Sequence, residues 1–307
     1  MEPFVVLARP ALVDAASRLE GFAGALTLDN YYGPEATRLS EFPAVRTILL
    51  EPDPILVDHF AAVAGPRIVD YRIVLLRPGV DGAPMLQTPH YQFDGGLPAA
   101  PAAPVGKDAA LALTSKVIGF LTDVEMSYLW DLESSAPGGY RLEIGSWCGK
   151  SASLLSSLCR AEGTKLFCVD QWVDRQGDLP WDFYNQFVAT MPRPVQGRLM
   201  DVFLYQAALY GYLDTLIPLR TRSERVLPLL QTDFGFMFID ADHNYASVKR
   251  DALCAIGRLQ RGGIVAFHDS NDYFPDVREF LEQEFVRRTD FEFVGQRDSM
   301  MAFRKLA

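Results

Sequence analysis

Residues able to do acid–base or metal chemistry gather at two places in this 307-residue sequence. Asp240, Asp242 and His243 follow the apolar run FGFMFI, and His268 with Asp269 follows GGIVAF. Two of the four histidines of the chain stand there. Imidazole beside carboxylate can move protons near neutral pH, and the same groups can hold a cation. If both apolar runs are parallel strands, both clusters lie at carboxyl ends of strands, where open α/β sheets bind their ligands.

A third stretch suggests what that ligand is. RLEIGSWCGKSASLL, from Arg141 to Leu155, runs from an apolar strand through Glu143, Gly145 and Gly149 into a helix. Glycines at such a turn permit close approach to the backbone, and a helix N-terminus attracts negative charge. Gly145 to Ser151 nearly spells the phosphate-wrapping motif G-x-x-x-x-G-K-S, but only three residues separate the two glycines where that loop needs four. The apolar strand FMFID, ending in an acid, fits an Mg²⁺-holding strand of a nucleotidase equally well. Three features favour an aminoacyl-nucleoside instead. Glu143 is an acceptor suited to an ammonium, and Asp170, ending LFCVD, can take both hydroxyls of a ribose. Ser223 and Glu224 follow the next strand, where an adenine edge would lie.

The elements that must position these groups are legible in the apolar pattern. From Lys107 onward, short apolar strands without polar alternation (LEIG, LFCVD, LIPLR, FGFMFID, GGIVAFHD) alternate with helices expected at 150–161, within 181–209, at 223–230 and at 244–260. A helical stretch precedes them, where Thr122 and Glu125 have the spacing of a capping box. A helix near Asp276–Arg288 and an antiparallel pair, DFEFVGQ with SMMAFRK, close the chain. The expected fold is α/β: a Rossmann-like, doubly wound, mostly parallel sheet with an antiparallel closing strand. A smaller α/β domain is expected over 1–78, with strands Phe4–Leu7, Arg46–Glu51 and Tyr71–Leu76 and a helix at Pro54–Val63. Residues 79–106, rich in proline and glycine, read as a linker or lid, and 107–307 as the catalytic domain.

Composition narrows the partners. The 29 basic against 39 acidic residues give a formal net charge of −10, which disfavours nucleic acid. No apolar run approaches the roughly 18 residues of a membrane span, and the N-terminus lacks a basic start and long apolar stretch. The four cysteines show no C-x-x-C spacing, as expected of reduced thiols in the cytoplasm. A small-molecule acceptor is therefore expected, with no nucleic acid and no membrane; a homo-oligomer stays open.

At EIGSWCGKSA the chain resembles the class I S-adenosylmethionine-dependent methyltransferases, especially catechol O-methyltransferase and its relatives. IDADHNYASVKRDALCAIGRLQRGGIVAFHDS resembles the matching segment of macrocin-type O-methyltransferases that modify sugars and antibiotics in natural product biosynthesis. The resemblance covers about residues 115–307. It implies that Glu143 and Ser151 bind the amino-acid end of S-adenosylmethionine, and that Gly145 and Gly149 allow its approach. Trp147 would border the methyl-donor pocket, Asp170 would hold the ribose, and Trp172, Ser223 and Glu224 would flank adenine, with Asp240 also beside the cofactor. It places a divalent metal at Asp240, His268 and Asp269. An imidazole at His268, where those families carry a carboxylate, suits Mn²⁺, Fe²⁺ or Zn²⁺ better than Mg²⁺. His268 is alternatively a general base without metal. His243 stands where the catechol enzyme has a basic lysine and is the leading base. Asp242 reads as a helix N-cap. Tyr91 and Phe93, or Trp181, Phe183, Tyr184 and Phe187, would wall the acceptor. The implied activity is metal-assisted O-methylation of a small sugar or natural product. The alternatives are a non-catalytic binding module on the same fold and a P-loop nucleotidase.

Overall fold

The computed structural model describes residues 106–173 and 199–307 continuously; before them it describes 4–7, 16–18, 21–26, 44–45, 47–50, 60, 72–78 and 84–87. The chain divides into two compact units, Met1–Tyr91 with Leu219–Thr232, and Gln92–Pro218 with Asp233–Ala307.

The first unit carries strands β1 (Phe4–Leu7), β2 (Phe22–Leu26), β3 (Thr47–Leu50), β4 (Arg72–Pro78) and β5 (Pro84–Gln87). They form one sheet in the order β2-β1-β3-β4-β5, parallel except for β5, with Val5, Val6, Leu7 and Ile48 buried. All three strands expected from the sequence are present. Apart from Phe60, which is helical and buried, the helix expected at Pro54–Val63 lies outside the described residues. Inside the stretch read as a connection, β5 pairs with β4 from Pro84 opposite Pro78 to Gln87 opposite Leu75. An outermost strand accommodates proline because its outer side needs no donor.

The second unit contains helices α1 (Lys107–Thr114) and α2 (Asp123–Ser134), then β6 (Tyr140–Ile144), α3 (Lys150–Glu162), β7 (Leu166–Asp170) and α4 (Leu199–Leu209). Strand β8 (Leu216–Arg220) follows, running at Leu219 into the segment of the first unit that holds the short α5 (Ser223–Val226); the second unit resumes with β9 (Phe234–Ile239), α6 (Tyr245–Ala255), β10 (Leu259–Phe267), α7 (Pro275–Phe280), β11 (Phe291–Arg297) and β12 (Met300–Lys305). The seven strands run β11-β12-β10-β9-β6-β7-β8. Strands β6, β7, β9 and β10 pair in parallel, and β12 inserts antiparallel between β10 and β11. Every residue of β9 is buried, as a strand covered on both faces requires. Chain order reverses between β6 and β9, the switch point at which such sheets open a crevice.

Local rules explain where these elements start and stop. Thr122 and Glu125 form the expected capping box at α2. Helix α3 begins at Gly149 and ends at Gly163, both left-handed, with φ of 97° and 67°. The helix expected at 223–230 stops at Val226, because Pro228 lacks an N–H and restricts the residue before it. The helix expected to reach 260 ends at Ala255, and a single tight turn, Ile256–Arg258, leads into β10, where Leu259 already pairs with Phe234.

Candidate active site

At the end of β6 the chain turns sharply against the tip of β9. Gly145 has φ +89°, and a Cβ there would lie 2.0 Å from the Asp240 carbonyl oxygen. The close approach that demands glycine is therefore backbone against backbone within the sheet. Gly149, at φ +97°, would bring a Cβ to 2.9 Å from the Phe203 ring. It offers no side-chain cap, so the first-turn N–H groups of α3 lack a side-chain partner.

Beneath this turn Glu143 is fully buried, and neither carboxylate oxygen has a well-formed hydrogen bond. Burial pushes its pKa up to about 7, only partly offset by the nearby hydroxyls of Ser146 and Ser151, while the charges of Asp240 and Asp170 push the same way. An orphaned buried carboxylate beside an uncapped helix end fits an aminoacyl group, ammonium on the acid and carboxylate toward the helix.

Asp170 ties the turn together. Its Oδ2 accepts from the Trp147 N–H at 2.9 Å and its Oδ1 from the Trp172 N–H at 2.6 Å. Burial raises its pKa, and these backbone donors oppose the rise. Both tryptophans hold left-handed backbone, with φ of 42° and 40°. Trp147 is half-buried and stacks on Phe120 at 5.1 Å. Trp172 is fully buried, lies 4.9 Å from the Phe203 ring, and donates its indole N–H to the Trp147 carbonyl at 2.8 Å. Its contacts are those of a side chain that packs and pins this loop.

The chemical end of the site lies at the tips of β9 and β10. His268 is 6% exposed; its Nδ1 stands 3.2 Å from Asp240 Oδ1 and 3.4 Å from Asp269 Oδ2. Its Nε2 faces Glu125 Oε2 at 3.3 Å. Half-buried His243 places Nε2 2.8 Å from Asp269 Oδ2 and 3.9 Å from Asp240 Oδ1, with its ring 4.1 Å from Phe274. The trio expected from sequence, Asp240, His268 and Asp269, does converge. His243 joins the same two carboxylates, and ligand atoms of Asp240, His243 and Asp269 lie within 4.8 Å of one another. Two carboxylates and an imidazole fit a divalent cation that accepts nitrogen.

Charge within this cluster is nearly balanced. Burial opposes the charged form of His243, but Asp240 and Asp269 outweigh it and raise its pKa to about 9. For His268 burial also opposes, yet Asp240, Asp269 and Glu125 hold it well above the ordinary imidazole value. Burial would raise Asp269, and the two imidazoles instead hold it well below the usual carboxylate range. Without a cation, the flanking carboxylates favour the protonated form of both rings.

Glu125 was legible in the sequence only as a helix cap. Its Oε2 accepts from the Thr122 N–H at 3.0 Å, closing the capping box, while Oε1 accepts from the N–H and hydroxyl of Ser299 at 3.1 and 2.5 Å. Asp242 is not the N-cap. Asn244 caps α6 by accepting from the Ser247 N–H, and Asp242 braces it, accepting from Asn244 Nδ2 and Ser247 Oγ at 2.6 and 2.9 Å. Ser223 and Glu224 belong to the first unit, where the serine hydroxyl donates to the glutamate at 3.4 Å. Tyr91, Phe93, Trp181, Phe183, Tyr184 and Phe187 lie outside the described residues.

Comparison with known proteins now bears on this geometry. Residues 142–270, from β6 through the tip of β10, match the family described as a methyltransferase domain. Over those residues the chain is similar to a methyltransferase domain, carried here on a Rossmann-like sheet, and the match runs across the glycine turn itself. Among solved structures, the chain is similar to cofactor-bound Rv0187 from MTB, at 16% identity over 65% of this chain and 88% of that one, with a TM-score of 0.46. The O-methyltransferase NovP matches at 15% identity over 59% and 79%, with a TM-score of 0.44. TomG of Streptomyces achromogenes, an O-methyltransferase involved in tomaymycin synthesis and solved with S-adenosylmethionine, matches at 15% over 66% and 89%, with a TM-score of 0.43. No helix among the described residues is long and apolar enough to cross a membrane.

Proposed function

We propose that this chain transfers a methyl group from S-adenosylmethionine to a hydroxyl of a small sugar or natural product, with a divalent cation assisting. The observation that carries the reading is the juxtaposition at the β6–β9 switch point. Buried Glu143, which makes no well-formed hydrogen bond among the described residues, lies under the glycine turn, and that turn packs against the strand whose tip bears Asp240.

In this reading Glu143 takes the ammonium of the methionine moiety, and Ser151 with the first turn of α3 takes its carboxylate. Asp170 faces the ribose, Trp147 borders the sulfonium end, and Ser223 and Glu224 are assigned to adenine. Asp240, His268 and Asp269 hold the cation. S-adenosylmethionine supplies an electron-poor methyl carbon, and a bound cation lowers the pKa of an acceptor hydroxyl. A cation held by Asp240 and Asp269 would weaken their hold on the His243 proton; having released that proton to solvent, the His243 ring could then accept the proton of the acceptor hydroxyl. The charge of −10 favours small acceptors over nucleic acid, and the reading places the enzyme in the cytoplasm.

Calorimetry with S-adenosylhomocysteine, alone and with Mn²⁺, Zn²⁺ or Mg²⁺, tests the assignment. Micromolar cofactor binding in the wild type and its loss in Glu143→Gln support it. Cofactor binding indifferent to Glu143 overturns the cofactor site, and the absence of binding by every cation overturns the metal.

A further inference from the structure

We propose that Glu125 is a positioning residue: it stands behind His268 and fixes which ring nitrogen faces the Asp240–Asp269 pair, so the site offers a cation oxygen, nitrogen and oxygen donors. The inference rests on the cation site proposed above. Four observations carry it.

Glu125 is 2% exposed, a costly place for a carboxylate unless its charge is used. Three of its four near contacts are donors fixed by the backbone or by a short hydroxyl bond, from Thr122 and Ser299; the fourth is His268. Its position is set by three separate segments. The Thr122 hydroxyl donates to Asp298 at 2.9 Å, and both the N–H and the hydroxyl of Ser270, two residues past His268, donate to the Ser299 carbonyl at 2.7 and 2.6 Å. The turn between β11 and β12 therefore clamps the first turn of α2 to the tip of β10. Finally, His268 Nε2 faces Glu125 Oε2 at 3.3 Å, a contact short of a well-formed hydrogen bond, and has no other hydrogen-bond partner among the described residues.

A carboxylate on the far nitrogen of a metal-facing histidine fixes the ring and increases its basicity, and losing such a partner costs about 10–100-fold in metal affinity. The arrangement keeps three carboxylates around the site, with one acting through an imidazole. Such a donor set favours Mn²⁺, Fe²⁺ or Zn²⁺ over Mg²⁺, which demands oxygen.

The decisive variant is Glu125→Gln, because a capping box accepts glutamine at this position and the helix start survives. In protein labelled with ¹⁵N-histidine, the wild type should show a slowly exchanging His268 Nε2–H resonance, assigned by its loss in His268→Gln. Glu125→Gln should shift that resonance and speed its exchange, and should weaken Mn²⁺ binding about 10–100-fold by calorimetry. Thr122→Ala, which removes the cap hydroxyl but leaves the Glu125 carboxylate, should lower Tm and leave the resonance in place. An unmoved Nε2–H resonance together with wild-type Mn²⁺ affinity in Glu125→Gln overturns the proposal. If the wild type binds no cation, the metal reading fails by itself, and the resonance still decides whether Glu125 holds His268. If Glu125→Gln does not fold, Ser299→Ala carries the same readouts, with a smaller shift expected and no shift overturning the idea.

Discussion

Two buried glutamates of the second unit, of the same residue type and nearly the same exposure, carry opposite electrostatics. Glu143, under the glycine turn, has no well-formed partner, and burial lifts its pKa to about 7. Glu125, at the start of α2, would be lifted by burial as well, but His268, Ser299 and the Thr122 N–H bring it down to about 2. Burial sets the cost of a charge, and partners decide whether that cost is met. The first region thus holds a carboxyl without a matched donor among the described residues, whereas the second is assembled in advance, its acids already matched by imidazoles.

The sharpest way to break this contrast is at the assembled end. Asp240→Ala should reduce kcat/KM by about 10³-fold, as expected if the acid supports charge stabilisation worth several kcal/mol. Retention of activity within tenfold would show that the balanced cluster is only structural. Next in size is Gly145→Ala, whose Cβ has no room beside the Asp240 carbonyl. It should cost about 3 kcal/mol of stability through strain and overpacking, read by urea denaturation.

At the unmatched end, Glu143→Gln should weaken S-adenosylhomocysteine binding about tenfold, roughly 1.4 kcal/mol. It should not destabilise the empty protein at pH 8. A carboxyl with a raised folded pKa favours the fold while protonated, so the wild type should lose stability as pH rises from about 4.3 to about 7 and then level off. Cofactor binding should strengthen over the upper part of that range as the acid ionises, and Glu143→Gln should remove both slopes. Glu125 has the reverse sign: its contribution is present above about 4.3 and is lost as pH falls through about 2. An acid unfolding profile that Glu125→Gln leaves unchanged would contradict its matched state. The smallest effect expected is Thr122→Ala, about 1 kcal/mol for the lost cap.

Much of this was legible in the sequence because it is local. Apolar runs marked β6, β7, β9 and β10, the glycine turn marked the start of α3, and the Thr122–Glu125 spacing marked a capping box that the structure contains. The carboxyl-end rule put Asp240, Asp242, His243, His268 and Asp269 at neighbouring strand tips, and the family resemblance singled out Asp240, His268 and Asp269 among them. Helix ends were less legible where a short-range competitor intervened, as at Pro228. The brace role of Asp242 was missed because Asn244, two residues on, takes the cap instead.

The sequence by itself determined the fold class of the second unit, the glycine turn and the acids at the strand tips, since strand period, glycine conformation and cap spacing act over a few residues. Only the tertiary structure decided that β12 inserts between β10 and β11, so that the hairpin turn delivers Ser299 to Glu125 and Glu125 to His268. It also decided that His243 shares the carboxylates of the expected metal trio, that Trp172 is buried against Phe203, and that Gly145 is required by the Asp240 backbone. Those facts depend on the order of strands and on contacts between residues far apart in the chain, and no local spacing encodes them.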